Sequence, residues 1–150
     1  MVRKAAMQAF GLLPAPLRRL AVRLGTPSYT VGAVLVLRRP DGRFLMVDQR
    51  HSGGWALPGG LLRRGERPAD GVVREVAEEV GIHLDADDLP VPTPVVAPRA
   101  RRVDLVYVLD ADEQQARRED PAEVRRIGWF TLDELPDISE PTLDILGTIA

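Results

Sequence analysis

Three glutamates crowd one face of a predicted helix near the middle of this 150-residue sequence. In the segment REVAEEVGI (residues 74–82), Glu75, Glu78 and Glu79 are spaced i, i+3 and i+4, so their side chains are neighbours on the helix surface. Like charges at these spacings destabilise a helix by roughly 0.2–0.5 kcal/mol per pair. A solvated acidic face is the ordinary explanation, but it predicts interleaved lysine or arginine, and positions 75–83 contain neither. The crowding therefore indicates a divalent cation, since Mg²⁺ and Mn²⁺ take oxygen ligands and Mg²⁺ usually recruits substrate phosphates as well.

The residues that precede this segment extend the pattern. Gly60 is followed by five residues and Glu66, and after seven more residues by REVAEEVGI. This spacing resembles the Nudix box, the signature of hydrolases that act on nucleoside diphosphates linked to another group. The resemblance implies a substrate with a pyrophosphate bond: a nucleotide sugar such as ADP-ribose, a nucleoside triphosphate or a dinucleoside polyphosphate. The fixed residue types of the signature are all present, namely Gly60, Glu66, Arg74, Glu75, Glu78, Glu79 and Gly81.

The resemblance also assigns roles to these residues. The ligands of Mg²⁺ or Mn²⁺ would be the three glutamates and the carbonyl oxygen of Gly59. Glu66 and Arg74 would form an ion pair that braces the metal-binding face, so Arg74 would orient the catalytic carboxylates rather than react. Gly60 would let the loop approach the helix closely. Gly81 would end the helix in the left-handed conformation that glycine adopts readily.

The base that takes a proton from the attacking water varies within the family, and two sets of carboxylates remain open. One set is the three box glutamates. The other lies in the loop before the last strand, in REDPAEVRRIGWF (residues 118–130), which offers Glu119, Asp120 and Glu123. We favour Glu123, because its place before the strand is most similar to the family's placement. A solvated charged loop is the alternative explanation for any one of these side chains.

The elements that must position these residues follow from periodicity and turn signals. The pair Asp41-Gly42 predicts a hairpin between the first two strands. The segment VPTPVVAP (91–98) is at best an edge strand because of its three prolines. Strands on both sides of a central helix predict an α/β fold with a mixed sheet, and the resemblance implies the Nudix fold, a mixed sheet between helices. The expected strands are 29–37, 43–49, 103–110 and 125–130, and the expected helices are 68–80, 131–136 and 141–150.

The chain is expected to have two parts, a helical N-terminal extension (1–28) and a Nudix hydrolase domain (29–150). Within the extension, PLRRLAVRLG (16–25) predicts an amphipathic helix. The basic N-terminus before a mildly apolar run also resembles a signal peptide, and a helix lying on a membrane surface is a further alternative. We favour a cytoplasmic extension, because Gln8 interrupts the apolar run. No apolar run approaches the ~18 residues that suggest a membrane span.

Composition narrows the choice of function. A net charge of −2 gives no general argument for binding nucleic acid or a membrane. The resemblance implies a small nucleotide substrate as the partner, and a homodimer is one option for assembly. The chain has no cysteine, which disfavours the isoprenoid isomerase branch of the superfamily. A non-catalytic, regulatory nucleotide-binding module is the alternative to an enzyme. Such modules commonly lose box carboxylates, and this chain keeps them.

Several basic residues outside the box give weaker signals. His51, beside two glycines, is expected to be a surface loop residue rather than a substrate contact. Arginines near the predicted strand ends have the chemistry to hold phosphates, although arginines at strand ends are usually solvated. These arginines are Arg50, Arg99, Arg101 and Arg102.

Overall fold

The computed structural model describes residues 10–51, 53–110, 116 and 122–149. Two 3₁₀ turns, at Ala86–Asp88 and Leu132–Glu134, accompany the regular elements. In chain order these elements are α1 (Ala15–Gly25), β1 (Thr30–Arg38), β2 (Phe44–Gln49), β3 (Trp55–Ala56), β4 (Gly59–Leu61), α2 (Pro68–Val80), β5 (Thr93–Ala97), β6 (Arg102–Asp110), β7 (Val124–Phe130) and α3 (Glu140–Ile149).

One mixed, seven-stranded sheet contains all of these strands. Its main path is β3-β2-β1-β6-β5, while β4 pairs with β1 and β7 pairs with β2. The two central strands, β1 and β6, run parallel over nine pairs, from Thr30↔Arg102 to Arg38↔Asp110. The other pairings are antiparallel. The predicted α/β class and mixed sheet are confirmed.

Strand β1 is buried on both faces of the sheet, and its side chains alternate between two hydrophobic cores. Leu35 and Leu37 belong to the core that includes Val76 of α2. Val34 belongs to the opposite core, which includes Ile145 of α3. The sheet therefore lies between α2 on one face and α3 on the other, which is the predicted layering.

Most of the predicted elements agree closely with the observed ones. The central helix has the predicted bounds, β5 lies at the edge of the sheet, and Gly42 turns the chain between β1 and β2 with φ of 82°. Strands β3 and β4 were not predicted, because two and three residues are too few to show a period. The expected helix at 131–136 is only the 3₁₀ turn Leu132–Glu134.

The predicted amphipathic helix of the N-terminal extension is present as α1. It begins at Ala15, and none of its residues is buried. Apolar side chains of this helix, including Leu17, Leu20 and Leu24, are exposed. None of the helices in the described part of the chain has the length and apolar character needed to cross a bilayer. The division of the chain near residue 28 stays a prediction.

Candidate active site

Helix α2 carries the acidic residues, and its ends are defined by the local sequence. Pro68 lies in the first turn, where its missing N–H costs no helical hydrogen bond. Gly81 takes the left-handed conformation (φ 66°), and its N–H donates to the carbonyl oxygen of Ala77 over 3.1 Å. Val72 and Val76 are fully buried against the sheet. This packing fixes the rotation of the helix about its axis, and with it the direction of the glutamates.

The ion pair predicted between Glu66 and Arg74 is present and has two contacts. Arg74 Nε donates to Glu66 Oε1 over 2.8 Å, and Nη2 donates to Oε2 over 3.1 Å. The backbone N–H of Arg63 also donates to Glu66, over 2.7 Å. The Arg74 hydrogen bonds, with this backbone contact, hold the pKa of Glu66 at about 2, and the pKa of Arg74 is raised mainly by Glu66. The pair ties the loop before α2 to the acidic face of the helix.

Arginine side chains also relieve part of the glutamate crowding. Arg74 Nη1 lies 2.6 Å from Glu75 Oε1 and 3.3 Å from Glu78 Oε2. Arg63 Nη2 lies 3.4 Å from Glu78 Oε1. Positions 75–83 contain no lysine or arginine, but Arg74 just before them and Arg63 from the loop lie close enough to pair with their carboxylates. Repulsion along the helix is therefore a weaker argument for a cation than the sequence suggests.

Glu79 differs from the other two glutamates because it is buried, with 3% of its surface exposed. Its carboxylate accepts a hydrogen bond from the N–H of Gly59 over 2.9 Å and another from Gln49 Nε2. Burial raises the pKa of Glu79 to about 7, and the nearby negative charges of Glu75 and Glu123 act in the same direction. The hydrogen bonds oppose this shift only in part.

Three glycines allow close packing around the acidic face of α2. A β-carbon at Gly60 would lie 2.6 Å from the Glu75 carboxyl group. Gly59 has φ of 143°, and a β-carbon there would overlap the carbonyl oxygen of Ala33 on β1. Gly71, which has no obvious purpose in the sequence of α2, leaves room for Leu62, whose side chain would meet a β-carbon at 2.6 Å. Close approach between loop and helix thus explains Gly60 and Gly71, and close approach between β4 and β1 explains Gly59.

A cavity of about 280 Å³, the acidic cavity, opens beside the glutamates of α2. Glu123, which directly precedes β7, lines it together with Glu75 and Glu79, so the favoured base lies in the same cavity as two of the box glutamates. Glu78 is not among its lining residues; its side chain is 47% exposed and faces Arg63 and Arg74. Glu119 and Asp120, the other loop candidates, lie outside the described residues. The cavity is lined by Gln49, His51, Gly59, Gly60, Leu61, Glu75, Glu79, Arg102 and Glu123.

The donors in this cavity fit a hard divalent cation by their chemistry. Glu75 and Glu79 line the cavity with carboxylate oxygens, which are ligands that Mg²⁺ and Mn²⁺ prefer, and Glu123 lines the same cavity as the candidate base. The repulsion that contributes to the raised pKa of Glu79 would be relieved by a positive charge. Within the described residues, no three acidic or histidine side chains are already gathered as a metal site. A cation bound to Glu75 would compete with Arg74, whose Nη1 lies 2.6 Å from Glu75 Oε1.

A second cavity, of about 230 Å³, lies on the α3 side of the sheet. It shares Gln49, Gly59 and Arg102 with the acidic cavity, so the two adjoin. Asp104 lines it from β6 and is 1% exposed. Sequence reasoning missed Gln49 and Asp104. The signal for Asp104 was present, since it is a charged residue within the otherwise apolar run VDLVYV (103–108).

Comparison with known proteins places the chain in one family. The family model of the NUDIX domain matches residues 28–146. A MutT-like protein of Streptomyces ambofaciens is 33% identical over 111 residues, which cover 74% of this chain and 70% of that protein. The crystal structure of a MutT NUDIX hydrolase from Burkholderia pseudomallei superimposes with a TM-score of 0.67 at 29% identity, covering 82% of this chain and 99% of that one.

Two further relatives are named for specific substrates. An NAD-capped RNA hydrolase, NudC, of Yersinia enterocolitica is 30% identical over 125 residues, covering 83% of this chain. An ADP-ribose pyrophosphatase of Methanocaldococcus jannaschii is 29% identical over 104 residues, covering 66% of this chain. The match spans 45% of the NudC protein and 60% of the pyrophosphatase. This chain thus matches only part of each of these two relatives.

Proposed function

Because the chain belongs to the Nudix hydrolase family, we propose that it hydrolyses the pyrophosphate bond of a nucleoside diphosphate linked to another group, with Mg²⁺ or Mn²⁺ as cofactor. Members of this family are pyrophosphohydrolases that act on nucleoside diphosphate derivatives. The observation that carries this proposal is the meeting of Glu75, Glu79 and Glu123 in one cavity. ADP-ribose is the first substrate to test, since one relative is named for it. NAD-capped RNA is the second, and it also tests the expectation that nucleic acid is not a partner.

Each residue of the site has a separate task in this reaction. A divalent cation would neutralise charge on the pyrophosphate and lower the pKa of a bound water. The Glu66–Arg74 pair holds the acidic face of α2 in place, and Gly59 and Gln49 fix the carboxylate of Glu79. Glu123 accepts the proton of the attacking water. Its backbone is held at the end of β2, where the carbonyl oxygen of Glu123 accepts from the N–H of Arg50 over 2.8 Å.

The bond changes follow from in-line displacement at phosphorus. The water oxygen forms a bond to one phosphorus, and the bond from that phosphorus to the bridging oxygen breaks. The bridging oxygen leaves on the other phosphate with the electron pair of the broken bond. A nucleoside monophosphate and a phosphorylated second group are the products.

A panel of nucleotides tests the proposal directly. ADP-ribose, a nucleoside triphosphate, a dinucleoside polyphosphate and NAD-capped RNA are incubated with the protein and Mg²⁺ or Mn²⁺, and products are separated by chromatography. We expect turnover of at least one pyrophosphate compound, loss of that turnover in excess chelator, and little hydrolysis of AMP. Binding of a nucleotide without turnover would instead identify a regulatory module.

Matched variants connect the activity to the acidic cavity. Glu79→Gln is expected to lower kcat at least about 100-fold, the low end for losing acid–base or metal-held charge. Glu134→Gln is the control, because Glu134 is an exposed carboxylate in the 3₁₀ turn after β7, does not line the acidic cavity, and pairs with Arg43 over 3.6 Å. Equal activity of the two variants would contradict the assignment of the site.

A further inference from the structure

Arg102 lies where the two cavities meet and is the cationic side chain that they share. Among the described residues that line the acidic cavity, no other arginine and no lysine accompanies it. A pyrophosphate in that cavity would bring several negative charges next to Glu75, Glu79 and Glu123. A divalent cation neutralises part of this charge, and an arginine at the edge supplies planar, forked donors that suit phosphate oxygens.

The guanidinium of Arg102 is held by a buried carboxylate. Arg102 Nε lies 2.7 and 2.8 Å from the two oxygens of Asp104, and Nη2 lies 2.7 Å from Oδ1. The Asp104 side chain is 2% exposed and that of Arg102 is 24% exposed. The two residues stand at i and i+2 on β6, so they share one face of the sheet. Arg102 makes these contacts with Nε and Nη2, and its Nη1 carries two further N–H donors.

Strand β1 has a glycine, Gly32, at the position next to this pair. Gly32 is the direct partner of Asp104 in the parallel ladder. A β-carbon at Gly32 would overlap the Asp104 carboxylate and would lie 2.6 Å from Arg102 Nη2. Glycine inside a strand weakens it. A pair that served only stability would not explain this arrangement, because buried ion pairs are often no more stabilising than apolar residues of similar volume.

We propose that Arg102 binds a phosphate of the substrate and that Asp104 is its positioning residue, with the second cavity receiving the organic group beyond that phosphate. This inference rests on the proposed pyrophosphate chemistry. Asp104 fixes the guanidinium before the substrate arrives, so less side-chain freedom is lost on binding. The walls of the second cavity suit an organic group, because Val34, Leu57 and Ile145 are apolar and buried. Thr142, whose hydroxyl lies 2.9 Å from that of Ser139, adds polar atoms.

Binding and turnover of conservative variants test the proposal. Arg102→Lys keeps a positive charge beside Asp104 but loses the fork. We expect it to bind α,β-methylene-ADP with Mg²⁺ about 10- to 100-fold more weakly by calorimetry, the loss expected for a hydrogen bond to a charged group. KM for a substrate found in the panel should rise by a similar factor with kcat changed much less, since the contact is made in both ground and transition states.

Arg99→Lys is the matched control, because the Arg99 side chain is 89% exposed, lines neither cavity and forms an ion pair with Glu140 over 3.4 Å. Asp104→Asn should raise KM less than Arg102→Lys, because the arginine is loosened but not removed. A purely structural role would lower the unfolding temperature of Asp104→Asn without moving KM relative to kcat.

A double variant keeps the test decisive if a single change disturbs folding. Arg102→Met combined with Asp104→Leu replaces the pair by apolar residues, which buried pairs commonly tolerate. We expect this protein to fold and to bind α,β-methylene-ADP at least about 10-fold more weakly. Unchanged affinity in this variant and in Arg102→Lys would overturn the inference even if the wild-type enzyme turns over the panel. Binding of the analogue without turnover would leave the inference standing and refute the proposed reaction.

Discussion

The buried carboxylate of Glu79 should make the stability of the metal-free protein depend on pH. Its pKa is raised from 4.5 to about 7, chiefly by burial. The folded state therefore holds the Glu79 proton more tightly than the unfolded state does. This contribution to stability is fully present below pH 4.5, falls as pH rises, and is lost above about pH 7.

The size of the effect follows from the pKa change. Each pKa unit corresponds to 1.36 kcal/mol, so the full change is roughly 3 kcal/mol, of which about 2–3 kcal/mol falls between pH 5 and pH 8. Glu79→Gln has no ionisable proton at this position, so its free energy of unfolding should lack this dependence on pH. The amide also mismatches one of the hydrogen bonds from Gly59 and Gln49, at a cost of about 0.5–1.5 kcal/mol. That cost is the same at both pH values and cancels when the difference between the proteins is compared across pH.

Chemical denaturation in excess chelator measures this difference. The free energy of unfolding is determined for wild type and Glu79→Gln at pH 5 and pH 8. We expect the variant to gain about 2–3 kcal/mol relative to wild type between these conditions. Glu78→Gln is the control: it loses only partly exposed ion pairs to Arg74 and Arg63, worth about 0–1 kcal/mol. Parallel dependence on pH in wild type and Glu79→Gln would refute the reasoning.

Three further predictions address the chemistry and its scaffold. Glu123→Gln should lower kcat at least about 100-fold while metal affinity, measured by titration calorimetry, stays near that of wild type; near-normal kcat would return the role of base to a box glutamate or to Glu119. Gly59→Ala should cost about 2–3 kcal/mol or more in denaturation, because of its φ and its overlap with Ala33, whereas Gly53→Ala, with open space around it, should change little. If ADP-ribose is turned over, reaction in ¹⁸O-water should place the label in either AMP or ribose 5-phosphate but not in both; label in both would contradict attack at a single phosphorus.

The local part of the site could be predicted from sequence because its signals are local. The bounds of α2 follow from Pro68 and Gly81. The Glu66–Arg74 pair joins residues only eight positions apart, and its prediction came from the resemblance to the Nudix box. The glutamate spacing correctly predicted a shared face, but it could not separate Glu79, which is buried, from Glu78, which is half exposed. That difference depends on how β4 lies against α2, and β4 is three residues long.

The contacts that join distant parts of the chain were beyond sequence reasoning. Gly71 is unfavourable in a helix by propensity alone, and only the packing of Leu62 against it explains the glycine. Asp104 is an acidic residue in an apolar strand, and only the register of β1 with β6 shows that Gly32 accommodates it. Periodicity identifies which residues are in a strand, but it gives no information about which strand lies beside it.

The parallel pairing of β1 with β6 has a consequence for folding. It joins residues 72 positions apart, as in the contact of Arg38 with Asp110. Closing so long a loop costs entropy before any contact compensates for it, and domains rich in such non-local pairs fold slowly, on the scale of milliseconds to seconds. The Nudix box lies inside this loop, as does the whole of α2. A growing chain on the ribosome therefore cannot complete the acidic cavity until β6 and then Glu123 have emerged. Before that point β1 lacks its parallel partner β6, so α2 and its glutamates lie beside an incomplete sheet.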